Sequence, residues 1–214
     1  MEQTYKNWLW EKLAEKTVKN LIRHGFQAQF TQTREEASRV ILENIKEYKS
    51  FAFAGSDTTR QLSVLESLQE QKKTLYDHWE PGLSPEQSLA IRKKQSDCDC
   101  FFCSANAISA KGEIVNVDGI GNRTNAMSFG PKKVFIVAGM NKVTQDLDSA
   151  LKRIKEIAAP MRAKSLNLET PCAKTGKCGD CNDPMRICRI TTILHRKPLL
   201  TDITVILINE ELGF

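Results

Sequence analysis

The sequence predicts an α/β domain in which a mainly parallel sheet is flanked by helices. Apolar segments of strand length alternate with amphipathic segments of helix length, the order that βαβ units require. Two strand segments, FAFAG at 51–55 and KKVFIVAG at 132–139, are almost wholly apolar, which is typical of parallel strands buried on both faces. The 214 residues suit one domain, 1–214, that carries a short insert at 171–188.

The N-terminal part of the chain alternates as this class requires. Gly25 ends the first amphipathic segment, and Ser84 followed by Pro85 is a typical start of a helix. The predicted elements are a helix over 1–25, a strand over 26–30, a helix from Thr31 or Thr33 to Ile45, the strand 51–55, a helix over 56–68 capped by Ser56 or Asp57, a strand over 74–79 and a helix over 84–95.

The C-terminal part adds a hairpin to the same pattern. Alternating residues on both sides of Lys111-Gly112 indicate two antiparallel strands joined by a tight turn. The predicted elements are a strand over 98–106, the hairpin over 108–119, a loop or short helix over 121–130, the strand 132–139, a helix over 146–160 that Pro160 stops, and strands over 191–197 and 203–210.

Composition and charge limit the classes of function that the sequence supports. No apolar run approaches the ~20 residues of a membrane helix, and the N-terminus lacks an apolar signal region, so we expect a soluble cytoplasmic protein. The net charge is +5, and most of the surplus lies in 131–170, with eight basic and four acidic residues. That surplus is too small to predict a nucleic-acid partner. It favours an anionic small-molecule ligand, although a solvated helix face explains it equally well.

The seven cysteines fall into two groups. Cys98, Cys100 and Cys103 belong to a predicted strand, where free thiols are typical core residues. Strand alternation places Cys98 and Cys100 on one face and Cys103 on the other.

The second group lies in the cysteine-rich insert, 171–188. Its spacing is C-x5-C-x2-C-x6-C, and four thiols in so short a polar segment indicate a metal site. Irregular spacing and basic neighbours favour a [4Fe-4S] cluster; a zinc staple that folds the loop is the alternative, and free thiols or a redox pair also remain open. The predicted ligands are Cys172, Cys178, Cys181 and Cys188.

Three polar loops follow predicted strands and should meet at the carboxyl edge of the sheet, where α/β proteins bind ligands. Each loop taken alone is explained as well by a capped helix, a tight turn or a solvated lysine. Together they predict a pocket for a polar small molecule, without a nucleotide fingerprint. The candidate contacts are Gly55, Ser56 and Thr58, then Asp118, Gly119, Gly121, Asn122 and Arg123, and lastly Asn141 and Lys142.

No residue is marked as catalytic by a motif. His78 is the histidine best placed for acid–base work at a strand end, although a surface loop histidine is the simpler interpretation.

The block SANAISAKGEIVNVDGIGNRTNAMSFGPKKVFIVAGMNKV at 104–143 resembles the signature of the LUD-domain (lactate utilization) proteins. FAGSDTT, DHWEPGLSPEQ and the final ITVILINEELGF resemble its flanking parts, and PCAKTGKCGDC resembles a subgroup with a cysteine-rich segment. The resemblance implies a fold like that of CoA transferases and phosphosugar isomerases. It carries over no catalytic residue, and it adds the loop position Asn106 as a candidate ligand contact.

The resemblance implies an accessory subunit in the oxidation of L-lactate or a related organic acid, working with iron–sulfur protein partners. Two other functions remain open. One is a transferase or isomerase that acts on an acyl-CoA or a sugar phosphate, and the other is a zinc-stapled regulatory or binding module. The sequence is compatible with an enzyme and with a non-catalytic subunit.

Overall fold

The computed structural model describes residues 2–214 and confirms the α/β class. The strands are β1 (Gln27–Thr31), β2 (Ser50–Phe53), β3 (Thr74–Asp77), β4 (Cys100–Cys103), β5 (Ala107–Ser109), β6 (Ile114–Asp118), β7 (Lys133–Gly139), β8 (Val143–Thr144), β9 (Ile190–Leu194) and β10 (Asp202–Ile208). The helices are α1 (Glu2–Arg23), α2 (Arg34–Asn44), α3 (Asp57–Arg60), α4 (Val64–Glu70), α5 (Pro85–Lys94), α6 (Asn122–Ser128), α7 (Leu147–Arg153), α8 (Ala159–Ser165) and α9 (Pro171–Thr175).

The main sheet has six parallel strands in the order β1-β10-β7-β4-β2-β3. Its central strands are buried on both faces, so one core lies on each side of the sheet. On one side the Phe102 ring stacks between Phe53 and Phe135, with centroid distances of 4.8 and 5.5 Å. The two almost wholly apolar segments of the sequence thus become the buried strands β2 and β7.

A second sheet was not predicted. The hairpin of β5 and β6 forms as expected, but it pairs with β8 on one side and β9 on the other, in the order β8-β5-β6-β9. A hairpin is a local pattern, whereas its pairing with β9 joins segments about 70 residues apart, for which the sequence carries no local signal. The strand predicted over 191–197 therefore belongs to this small sheet.

The helices for which the sequence predicted a cap, α2, α3 and α5, begin at those caps. Thr33 and Ser56 each accept a hydrogen bond from the backbone of the first turn, and Ser84 and Gln87 form a reciprocal capping box. The single helix predicted over 56–68 is instead two short helices, α3 and α4. The hydroxyl of Thr58 donates to Leu212 O at 3.2 Å, which ties α3 to the C-terminal segment.

The prediction that Pro160 stops its helix is wrong. The helical chain continues from α7 through a π-helical turn at Ile154–Ala158 into α8, which ends at Ser165. Proline lacks the N–H that an α-helix interior needs, and its ring crowds the preceding turn. The wider π turn directly before Pro160 accommodates both defects.

The core cysteines are buried as predicted, but one faces differently. Cys100 and Cys103 point to opposite faces of the main sheet, whereas Cys98 packs on the side of Cys103 rather than that of Cys100. Cys98 precedes β4, so strand alternation does not reach it. Burial raises the pKa of Cys98 and of Cys103 to about 12, which keeps these thiols protonated and unreactive. Within residues 2–214, no helix has the length and apolar content needed to cross a membrane.

Candidate functional site

The carboxyl ends of β2, β3, β4 and β7 surround a cavity of about 280 Å³, which we call the site cavity. The end of β6 in the second sheet closes another side of it. The three predicted loops therefore meet, because parallel strands bring their carboxyl ends to one edge. Nine of the eleven predicted contacts line the cavity: Gly55, Ser56, Thr58, Asn106, Asp118, Gly119, Asn122, Arg123 and Lys142.

The other two predicted contacts, Gly121 and Asn141, do not line the site cavity and have positions that explain them structurally. Gly121 has a φ of 96° at the start of α6, a left-handed conformation that favours glycine. The Asn141 amide accepts from Leu212 N and donates to Gly213 O, both at 3.2 Å. Asn141 thus fastens the C-terminal segment beside the cavity.

Lys142 is a buried cation at this edge, with 4 % of its surface exposed. Its Nζ donates to Thr58 Oγ1 at 2.7 Å and to Ser104 Oγ at 3.1 Å. In the described part of the chain, no carboxylate oxygen lies within 4 Å of this nitrogen. Burial, together with the positive charges of Arg153 and Arg123, lowers the pKa of Lys142 to about 7.

His78 is held in one tautomer by Gln95, a completely buried residue that the sequence did not single out. Gln95 Nε2 donates to the carbonyl oxygen of Phe53 at 2.8 Å, and its Oε1 accepts from Asn122 Nδ2 at 2.9 Å. A carbonyl can only accept, so the amide orientation is fixed and Gln95 Nε2 also donates to His78 Nδ1, 2.8 Å away. The proton of His78 is therefore on Nε2.

His78 stays neutral at neutral pH. Burial lowers its pKa to about 4, and the nearby charge of Arg92 acts in the same direction, while Asp77 opposes it. Its imidazole thus provides an N–H donor rather than a charge. A neutral donor of this kind can polarise a carbonyl oxygen of a bound ligand.

Arg123, which the sequence predicted as a bidentate anion ligand, is engaged with the protein. Its Nη2 donates to Asn106 Oδ1 at 3.0 Å and to Val117 O at 2.6 Å, and its Nε lies 4.0 Å from Asp118 Oδ2. Asn106 Oδ1 also accepts from Val117 N at 2.8 Å. Arg123 and Asn106 therefore tie the start of α6 and the segment between β4 and β5 to the end of β6, as well as lining the cavity.

Trp79 forms one wall of the cavity between two arginines. The guanidinium carbons of Arg60 and Arg162 both lie 5.1 Å from the indole ring. Arg60 is fixed by two hydrogen bonds of 2.6 Å to Asp77. A Cβ at Gly55 would approach the indole to 2.9 Å, so the glycine lets Trp79 lie against the β2 loop.

Arg92 also lines the site cavity, from α5, although the sequence did not single it out. Its Nη1 is buried without a hydrogen-bond partner among residues 2–214. Burial lowers its pKa, and Asp118 opposes this. A buried donor without a partner is costly, so Nη1 is a natural contact for a ligand acceptor. In the sequence, Arg92 belongs to the run RKK, which reads as a solvated helix face.

The four cysteines of the insert are partly exposed and free. Nowhere between residues 2 and 214 do three Cys, His, Asp or Glu side chains come together as a metal-ligand set. Arg186 instead organises the loop by donating to the carbonyl oxygens of Cys181 and Cys188 at 2.5 and 2.8 Å. The thiols are of the donor type that zinc and iron bind, although they are not drawn together as a ligand set in this structure. Cys188 does line the site cavity.

A parallel sheet with a polar cavity at its carboxyl edge is typical of α/β proteins that bind a small ligand. The family model described as LUD domain matches residues 14–208. The chain therefore belongs to the LUD-domain family, and the resemblance seen over 104–143 is confirmed.

Structure comparison agrees with this assignment. The fold is similar to the crystal structure of a DUF162 family protein from Deinococcus radiodurans, with a TM-score of 0.57 and 13 % identity, over 94 % of this chain and 98 % of that one. At this identity the likeness shows the fold alone. A comparison with curated protein sequences finds no match.

Proposed function

We propose that this LUD-domain protein binds a small organic anion in the site cavity and serves as an accessory subunit in the oxidation of L-lactate or a related acid. Membership of the family supports this metabolic context. We place the activity in the cytoplasm, with iron–sulfur proteins as partners. The observation that carries the proposal is Lys142, a buried cation on the cavity wall without a carboxylate partner.

The charges around the cavity favour an anionic ligand. Three arginines line it, and two of them have a carboxylate within 4.0 Å: Arg162 is paired with Asp57 at 3.1 Å and Arg123 lies 4.0 Å from Asp118. Arg92 has no such partner in the described chain and leaves one donor free. A bound carboxylate would balance the charge of Arg92. The second oxygen of that carboxylate, or a neighbouring hydroxyl of the ligand, would accept a hydrogen bond from Lys142 Nζ.

Isothermal titration with L-lactate, pyruvate, inorganic phosphate and CoA tests the proposal. We expect an organic acid to bind, and we expect Arg92→Met and Lys142→Met each to weaken its binding at least tenfold, about 1.4 kcal/mol. Lys16→Met, which changes an exposed lysine of α1, serves as the matched control and should bind as the wild type does. Absence of binding of either acid to folded wild-type protein would overturn the proposal.

A transferase or isomerase that acts on an acyl-CoA or a sugar phosphate is the second candidate. One observation favours it: two groups with strongly lowered pKa values, His78 and Lys142, line the same cavity, and such groups cluster at catalytic sites. In the same titrations, tight binding of CoA or phosphate without binding of lactate or pyruvate would select this function.

We further propose that Cys172, Cys178, Cys181 and Cys188 hold a [4Fe-4S] cluster, or alternatively zinc. The support is their concentration in a loop without strands, which could draw together around a metal at little cost to the sheet. Anaerobic purification followed by iron, sulfide and zinc analysis tests it. One cluster or one zinc per chain, lost in Cys178→Ser and kept in Cys103→Ser, is expected; metal-free wild-type protein would refute the proposal.

A further inference from the structure

The amine of Lys142 has one unused bonding position. Thr58 Oγ1 gives its own hydrogen to Leu212 O, and Ser104 Oγ gives its hydrogen to Ala105 O. Both hydroxyl oxygens must therefore accept from Nζ, which commits two N–H groups of the lysine. The third tetrahedral position, a hydrogen in the ammonium form and a lone pair in the amine form, has no partner within the described structure.

The surroundings raise the share of the neutral amine form of Lys142. Lys142 is withdrawn from water, and the cations Arg153 and Arg123 stand near it, while Asp57 is the acid that opposes them. Its pKa of about 7 leaves a substantial fraction of neutral amine at neutral pH. Desolvation and a neighbouring cation are the two devices by which proteins make a lysine nucleophilic.

We propose that Lys142 is a nucleophile that forms an imine with the carbonyl group of a 2-oxo acid bound in the site cavity. The inference rests on the proposed binding of a small organic anion there. The cavity suits this substrate class because it is lined both by Arg92, a cation without a carboxylate partner among the described residues, and by Lys142, whose Nζ has an unused bonding position. Arg92 would bind the carboxylate and Nζ would take the carbonyl carbon beside it.

The step is balanced without an oxidant or reductant. The lone pair of Nζ attacks the carbonyl carbon, a C–N bond forms, and the carbonyl oxygen becomes a hydroxyl in the tetrahedral adduct. The C–O bond then breaks, the oxygen leaves as water with the two hydrogens that Nζ carried, and a C=N bond remains. Thr58 and Ser104 accept hydrogen bonds from Nζ and hold the nitrogen in place while its two protons pass to the departing oxygen.

Reductive trapping tests the inference. Wild-type protein, Lys142→Met and Lys16→Met are incubated with pyruvate and cyanoborohydride, and the products are analysed by intact mass and peptide mapping. We expect one pyruvate-dependent adduct per chain, mapped to Lys142, in the wild type and in Lys16→Met. L-lactate, which has no carbonyl group to attack, should give none. An adduct spread over exposed lysines, or none at all, would overturn the inference.

Two measurements keep the outcome decisive. In the wild type alone, trapping at Lys142 should rise with pH and level off above a midpoint near 7, whereas exposed lysines react only at higher pH; the same profile at both would contradict the assignment. Titration with pyruvate and L-lactate separates the two proposals. If both acids bind and no adduct forms, the imine fails while anion binding stands; if neither binds, the proposed function fails as well.

Discussion

Lys142→Met should remove a pH dependence from the stability of the protein. The ordinary lysine pKa of 10.5 is lowered to about 7 in the folded chain, first by burial and then by Arg153 and Arg123. Between these two values the unfolded chain binds a proton that the folded chain does not. The free energy of unfolding of the wild type therefore rises with pH in this window, and methionine, which does not titrate, abolishes that rise.

The size of the effect follows from the difference between the two pKa values. Three and a half pH units at about 1.36 kcal/mol each give an upper limit of about 5 kcal/mol. Between pH 7 and pH 9, where the folded amine loses its remaining proton and the unfolded one keeps its own, linkage predicts about 2 kcal/mol. Methionine has a similar unbranched shape, so packing should change little.

Urea denaturation at pH 7, 8 and 9 measures this difference. The unfolding free energy of the wild type, minus that of Lys142→Met at the same pH, should increase by about 2 kcal/mol over the series. Titration of the buried cysteines occurs in both proteins and cancels in the subtraction. Lys16→Met should track the wild type. Parallel curves for wild type and Lys142→Met would show that the folded lysine keeps its proton and would refute the reasoning.

Three further substitutions test other parts of the fold and site. Gly55→Ala places a Cβ 2.9 Å from the Trp79 indole, so we expect about 1–3 kcal/mol of destabilisation by calorimetry and weaker organic-acid binding. Gln95→Met leaves His78 Nδ1 without its donor; unfolding should cost about 1–3 kcal/mol less, and nitrogen NMR of the imidazole should show mixed tautomers instead of Nε2–H alone. Ser84→Ala removes a capping box and should lower stability by about 1 kcal/mol without changing ligand binding.

The sequence predicts the sheet well because its signals there are local. FAFAG and KKVFIVAG are apolar at most of the residues that a doubly covered strand must bury, and they become the buried strands β2 and β7. Ser84 with Pro85 specifies a helix start through its own side chain. Such features need only neighbouring residues to act, so they can be read without the fold.

What escapes the sequence depends on contacts between distant segments. The second sheet requires β6 to pair with the distant strand β9. The π turn before Pro160 depends on how the helix beyond it packs. Gln95 carries no motif; its importance comes from Phe53, His78 and Asn122, which three other segments deliver to its amide. The loops of the cavity could be predicted because parallel strands share an edge, but the arginines that reach it from α5 and α8 could not.

The position of Lys142 is better explained by ligand chemistry than by folding. A lysine held with its pKa near 7 opposes folding at neutral pH by the linkage worked out above, and a methionine could fill the same space without that opposition. The carboxylate that would have made the site a stabilising ion pair is absent from the described surroundings of Nζ. Instead, two hydroxyls orient the amine and leave its third position free at a cavity. Such an arrangement stabilises the protein when an anion or a carbonyl carbon occupies that position, and it destabilises the protein when nothing does.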